Sequence, residues 1–175
     1  MNQDSSNIVV GVLALQGDFA EHIKMLEQCG VSAKPVRYAE ELDHIDGLII
    51  PGGESTAVAK LTDEGSAPIF SAIKEKIGAM PVYGTCMGSI FLAKDIEGSS
   101  QGRLAVMDIK VRRNAFGSQR RSFESDLIID TLGAEAFPAV FIRAPVIVEC
   151  GPKVQVLSAI DEGIVMARQD NLLVT

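Results

Sequence analysis

"IVVGVLALQGDFAEHIKMLEQCG", residues 8–30, changes its hydrophobic period halfway along. Its first part, Ile8 to Leu15, is a nearly unbroken run of β-branched and aliphatic residues, the pattern of a parallel strand covered on both faces. Beyond Gly17 the apolar residues Phe19, Ile23 and Leu26 share one helical face, with Asp18 at the N-cap position and Gly30 just past the end. A buried strand feeding an amphipathic helix is the building unit of a parallel α/β sheet.

The neighbouring sequence repeats the theme. "SAKPV" and "GLIIP" are the second and third strands, and Pro51-Gly52-Gly53 stops the third abruptly. "PIFSAIKEKIG" is helical, "MPVYG" is a short strand, and "GSIFLAK" begins another helix. From about Leu104 onward strand candidates crowd together: "AVMDIKV", "DLIID", "AVFIR", "VIVEC", "VQVLSAI", "GIVMAR" and "LLVT". Strands alternating with helices, followed by added hairpins, predict an α/β fold, a three-layer α/β/α sandwich with a mostly parallel central sheet. No repeat, low-complexity tract or linker divides the 175 residues, and 47% hydrophobic content is enough for one core, so one domain is expected.

Composition narrows the function. A net charge of −7 repels a phosphate backbone, so nucleic acid is not an expected partner. No apolar run is long enough to span a bilayer, and "MNQDSSN" lacks the features of a signal peptide, so a cytoplasmic protein without membrane attachment is expected. Cys29, Cys86 and Cys150 form no CxxC pair and there are only two histidines, His22 and His44, which argues against a disulfide framework or a metal site.

In such sheets ligands bind beyond the carboxyl ends of the strands. "LQGD", "PGGES" and "YGTCMG" all fall there. The last has the Gly-x-nucleophile-x-Gly spacing of a nucleophile elbow, with Cys86 at its centre. A sharp strand-to-helix turn forces the nucleophile into strained φ/ψ, and residues two positions away must lack a Cβ, as Gly84 and Gly88 do. The start of a helix is also expected to favour thiolate through the helix dipole. The alternative is that Cys86 is a small core residue at a plain turn. "PGGES" can aim backbone N–H groups at an oxyanion, or be a simple turn. Cys29 and Cys150 lack any such setting and are expected to be packing residues.

Taken together, "GVLALQGDFAEH", "IDGLIIPGGEST", "YGTCMG", "RRNAFGSQRRSFE", "VFIRAP" and "MARQDN" resemble the class I (triad-type) glutamine amidotransferases along essentially the whole chain. More narrowly, the resemblance is to the glutaminase branch that serves pyridoxal 5'-phosphate synthase. It implies a flavodoxin-like class I glutaminase fold, hydrolysis of L-glutamine to glutamate and ammonia without a cofactor, and delivery of that ammonia to a partner synthase subunit making pyridoxal 5'-phosphate (vitamin B6). By the same resemblance, Cys86 is the nucleophile that forms a γ-glutamyl thioester, and Gly53 and Met87 supply oxyanion N–H groups. Gly53, Glu54 and Ser55 fall on the glutamine-binding loop, and Arg113, Ile142 and Arg143 match further substrate contacts. Arg112, Arg120 and Arg121 are left as surface residues or as part of a partner interface.

The resemblance also implies a general-base His and an orienting Glu in a segment directly following "ARQDNLLVT". The sequence as given ends at Thr175, so the expectation is a glutaminase domain, 1–175, lacking a C-terminal segment and thereby its catalytic base. His22, on the first helix, and His44, in a polar turn, are expected to be solvated or packing residues. Two alternatives stand beside the enzyme: a non-catalytic glutamine-binding or regulatory module on the same fold, and a stand-alone cysteine hydrolase. "RNAFGSQRRSFE" disfavours the second, because a glutamine site explains it and such a hydrolase would not require it.

Overall fold

The computed structural model describes residues 8–63, 68–115 and 123–175. In chain order the elements are β1 (Val9–Leu13), α1 (Phe19–Gln28), β2 (Ser32–Val36), β3 (Gly47–Ile50), α2 (Ser55–Asp63), α3 (Pro68–Lys76), β4 (Val82–Gly84), α4 (Met87–Leu92) and β5 (Ala93–Ile96). Seven further strands follow: β6 (Met107–Arg112), β7 (Phe123–Leu127), β8 (Phe137–Phe141), β9 (Val146–Cys150), β10 (Gln155–Ile160), β11 (Gly163–Gln169) and β12 (Leu172–Val174). Among the described residues one ten-stranded sheet runs in the order β2-β1-β3-β4-β12-β11-β9-β6-β5, with β10 paired to β11, while β7 and β8 form a separate hairpin.

The half of the sheet from β2 to β12 is parallel throughout. The crossover from β1 to β2 runs one way along the sheet and that from β3 to β4 runs the other. Because crossovers between parallel strands are right-handed as a rule, opposite directions along the sheet put α1 on one face and α2–α3 on the other, the three-layer arrangement expected. The reversal between β1 and β3 is a switch point, and "LQGD" and "PGGES" open from the carboxyl ends of those two strands.

The other half departs from a mostly parallel sheet. Pairs β12/β11, β11/β10, β11/β9 and β9/β6 are antiparallel, and only β5/β6 is parallel. Two residues, Asp161 and Glu162, join β10 to β11, and two, Asp170 and Asn171, join β11 to β12. Such links are too short for a crossover and permit only antiparallel pairing. The sheet is therefore mixed.

Three local expectations also change. The helix begun by "GSIFLAK" ends at Leu92, where Ala93 turns extended and pairs with Met107 to start β5. Only the first two residues of "DLIID", Asp126 and Leu127, are strand, as the end of β7. β7 leaves its ladder at Leu127, opposite Phe137, after which Asp130–Leu132 form a 3-10 turn with Ile129 tucked in and Ile128 exposed. Asp18 occupies the N-cap of α1, but its side chain makes no capping bond, and its N–H donates instead to Gly52 O at 3.1 Å.

The main core fills the space between the sheet and α2–α4, with Leu48, Ile50, Ile73, Met87 and Leu92 almost fully buried and Phe70 set edge-on to Phe91 at 5.1 Å. A smaller cluster of Leu127, Ile129, Phe141, Val146 and Val165 lies under the β7–β8 hairpin, where Phe123 stacks on Phe141 at 4.9 Å. No helix among the described residues is long and apolar enough to cross a membrane.

Candidate active site

Cys86 sits between β4 and α4 with φ 49° and ψ −105°, a conformation costly for a residue with a side chain. The surroundings hold it there. A Cβ on Gly84 would stand 2.7 Å from the carbonyl carbon of Gly88, and one on Gly88 would stand 2.2 Å from Ile50 O. Both flanking positions thus require glycine, as an elbow demands. Thr85 N–H donates to Ile50 O at 3.0 Å, Gly88 N–H to Thr85 O at 2.7 Å, and the Ser89 hydroxyl to Cys86 O at 2.7 Å. Because β12 is inserted beside β4, the last residue also braces the turn. Cys86 N–H donates to Thr175 O at 2.8 Å, and Thr175 Oγ1 lies 2.9 Å from the Tyr83 hydroxyl.

The electrostatics of the sulfur differ from the sequence expectation. Burial pushes the Cys86 thiol above its ordinary range, and the nearby Asp18 carboxylate pushes the same way. The N–H groups of Met87 and Gly53 and the charge of Arg143 oppose that rise without overcoming it. A helix of six residues, α4, has too small a dipole to win against desolvation. The balance at the Cys86 sulfur therefore favours the neutral thiol.

The N–H groups that act on the sulfur come from Met87, the residue after Cys86, and from Gly53, in the loop after β3. "LQGD" holds that second loop in place. Gln16 Oε1 accepts from Glu54 N–H at 2.9 Å, and a Cβ on Gly17 would lie 1.9 Å from Gly52 O. Gly53 itself has φ 157° and packs against the Gln16 side-chain amide.

The expected substrate contacts fall into two groups. Glu54 is exposed, its carboxylate accepts from Thr56 N–H and hydroxyl, and Arg113 and Arg143 both lower its pKa from across the site, after the Thr56 bonds. These three charges share one region. Ser55, by contrast, is 7% exposed at the start of α2, so its side chain is packed in, and Ile142 is 57% exposed beside Arg143. Arg143 has φ 49°, and Ala144 O next to it accepts from Ala115 N–H at 3.2 Å, tying the Arg143 turn to the one after Arg113. Arg112 points away and ion-pairs with Glu97, while Arg120 and Arg121 lie outside the described residues.

On its other side Cys86 borders an apolar cavity of about 270 Å³ reached by Tyr83, Phe137, Val140, Phe141, Met166 and Thr175. None of the charged candidates lines it, so the sulfur lies between an apolar hollow and a polar rim. Among the described residues no cluster of His, Cys, Asp and Glu is arranged to hold a metal.

The remaining candidates are distributed as follows. His44 is exposed; His22 is half-buried with Nε2 3.5 Å from Thr85 Oγ1, and desolvation lowers its pKa against the pull of Asp18. Cys29 is exposed at the C-cap of α1 rather than packed, whereas Cys150 packs on the main core. Residues that sequence reasoning did not single out include Thr85, Thr175 and Gln101, whose Oε1 accepts from Arg113 Nη1 at 2.6 Å. "LQGD" was the one signal pointing to Gln16 and Asp18.

Comparison with known proteins gives the same pattern throughout. A model of the SNO glutamine amidotransferase family matches residues 12–175. The pyridoxal 5'-phosphate synthase subunit PdxT of Carboxydothermus hydrogenoformans is 53% identical over 167 residues, covering 95% of this chain and 86% of that protein. PdxT of Pelotomaculum thermopropionicum is 54% identical over 165 residues, covering 94% and 83%. A crystal structure of a glutamine amidotransferase has a TM-score of 0.87 at 46% identity, covering 95% of this chain and 87% of the other. PurLQS from Thermotoga maritima, at 16% identity and TM-score 0.71 over 95% of this chain and 85% of the other, shares the fold.

Proposed function

This chain belongs to the SNO glutamine amidotransferase family, and on that premise we propose that it hydrolyses L-glutamine and delivers the ammonia to the synthase subunit of a pyridoxal 5'-phosphate synthase. The observation that carries the reading is Cys86 held at φ 49° with the Met87 and Gly53 N–H groups turned toward its sulfur. In this reading Cys86 Sγ attacks the side-chain carbonyl of glutamine, and those two N–H groups hold the oxyanion. Collapse expels ammonia and leaves a γ-glutamyl thioester, which water hydrolyses to glutamate. Glu54 suits the substrate's α-ammonium, and Arg113 and Arg143 suit its α-carboxylate. Gly53, Ser55 and Ile142 contribute backbone and shape.

Acylation needs a base, since burial disfavours thiolate. The family resemblance implies a His in that role. Thr175 O accepts from Cys86 N–H, so the end of β12 lies against the turn that carries the sulfur. The polar rim, the elbow and family membership do not favour a non-catalytic module. The acidic composition and lack of paired cysteines support a cytoplasmic location and a protein partner rather than nucleic acid.

The test is ammonia release from L-glutamine by the protein with its synthase subunit. Cys86→Ala is expected to abolish turnover while L-glutamine still binds by calorimetry. Turnover surviving in Cys86→Ala would overturn the assignment.

A further inference from the structure

Arg113 is held by a neutral acceptor. Its Nη1 donates to Gln101 Oε1 at 2.6 Å, and among the described residues no carboxylate lies within 4.0 Å of its guanidinium. Two other arginines near this edge are used differently: Arg112 pairs with Glu97, and Arg103 bonds carbonyls and lies 3.7 Å from Asp95. A glutamine in place of a glutamate fixes direction without cancelling charge. The guanidinium thus meets no carboxylate at ion-pair distance, and apart from the field it shares with Glu54 its charge stays available to an anion.

The acceptor is itself fixed. Gln101 lies in an irregular segment after β5, yet Arg103 Nη1 donates to Gln101 O at 2.9 Å while Arg103 Nη2 donates to Lys94 O at 2.9 Å. Gln101 N–H reaches Ser99 Oγ at 3.3 Å, and the segment is anchored by Leu104, which is buried and donates to Phe91 O at 2.9 Å. Arg113 therefore leaves the end of β6 tethered at one side, toward the region it shares with Glu54 and Arg143.

We propose that Gln101 is a positioning residue for substrate recognition, holding Arg113 with its charge uncancelled for the α-carboxylate of L-glutamine. The proposal rests on the reading of Glu54, Arg113 and Arg143 as the glutamine site. An amino-acid zwitterion needs one anionic and at least one cationic group with free valence, and a carboxylate at position 101 would consume the cation.

The test is calorimetric titration in a Cys86→Ala background, where no turnover occurs, with L-glutamine and with L-glutamine α-amide, which has a carboxamide in place of the α-carboxylate. Gln101→Glu is expected to weaken L-glutamine binding about ten-fold, the equivalent of one charge-assisted hydrogen bond, while leaving the α-amide within about two-fold. Gln101→Met, which removes the acceptor but adds no charge, is expected to weaken L-glutamine less. Gln101→Glu should have no further effect in Arg113→Ala. Equal losses for both ligands, or unchanged L-glutamine binding in Gln101→Glu, would overturn the proposal. If Arg113→Ala binds L-glutamine normally, or the Cys86→Ala chain binds none, the underlying glutamine-site reading fails instead.

Discussion

Replacing Gly88 by alanine tests the elbow directly. The new Cβ would meet Ile50 O at 2.2 Å, the Ile50 carbonyl carbon at 3.1 Å and Ile50 Cβ at 3.3 Å. Backbone has to move by about 1 Å to restore contact, an overpacking that costs about 1–3 kcal/mol. Ile50 O also accepts from Thr85 N–H, so the movement strains a bond that pins the elbow, adding about 0.5–1.5 kcal/mol. Alanine in place of glycine inside a helix returns about 1 kcal/mol. The net is about 2 kcal/mol, which for a chain of this size lowers the melting temperature by about 4–8 °C. Gly78→Ala is the matched control, since nothing lies within 4 Å of its added Cβ and its φ is not positive. It should leave the melting temperature unchanged or raise it slightly. Thermal unfolding followed by circular dichroism measures both. A Gly88→Ala protein melting within about 1 °C of the parent would show that the close approach of α4 to β3 does not constrain the turn.

Cysteine reactivity should separate intrinsic nucleophilicity from site recognition: with iodoacetamide near neutral pH, peptide mapping is expected to find the exposed Cys29 alkylated before Cys86, whereas a glutamine-analogue electrophile should label Cys86 first. Because the folded thiol of Cys86 is raised above its unfolded value, its contribution to stability is complete below the unfolded value and is lost as pH rises through the folded one. Melting temperature should therefore fall less steeply with alkaline pH in Cys86→Ala than in the parent. Asn171 Nδ2 donates to both Ile77 O and Met80 O, joining the β11–β12 turn to the end of α3, so Asn171→Ala should destabilise by about 1–3 kcal/mol in urea unfolding. Gln16→Ala should lower glutamine turnover more than stability, because it removes the acceptor for Glu54 N–H and frees the loop that carries Gly53.

Much of this protein is local physics and was legible in the sequence. The change from an apolar run to helical spacing at Gly17 gives β1 and α1, and "SAKPV" and "VIVEC" coincide with β2 and β9. Two glycines flanking Cys86 announce a turn that excludes Cβ atoms, a steric demand that holds wherever the chain goes. Tertiary structure decided the rest, because it depends on residues distant in sequence. That β12 slots between β4 and β11, bringing Thr175 against Cys86, follows from strand order and not from the composition of "LLVT". Whether Cys86 is thiol or thiolate turns on how much of the chain buries it and on Asp18 from another loop, and there desolvation outweighed the helix start that sequence could see. Gln101 had no signal at all: it lies in irregular chain, twelve residues from Arg113, and only the folding of that segment back onto β5 makes it the acceptor. Periodicity and glycine sterics act within a few residues, whereas burial, strand order and charge placement are sums over the whole fold.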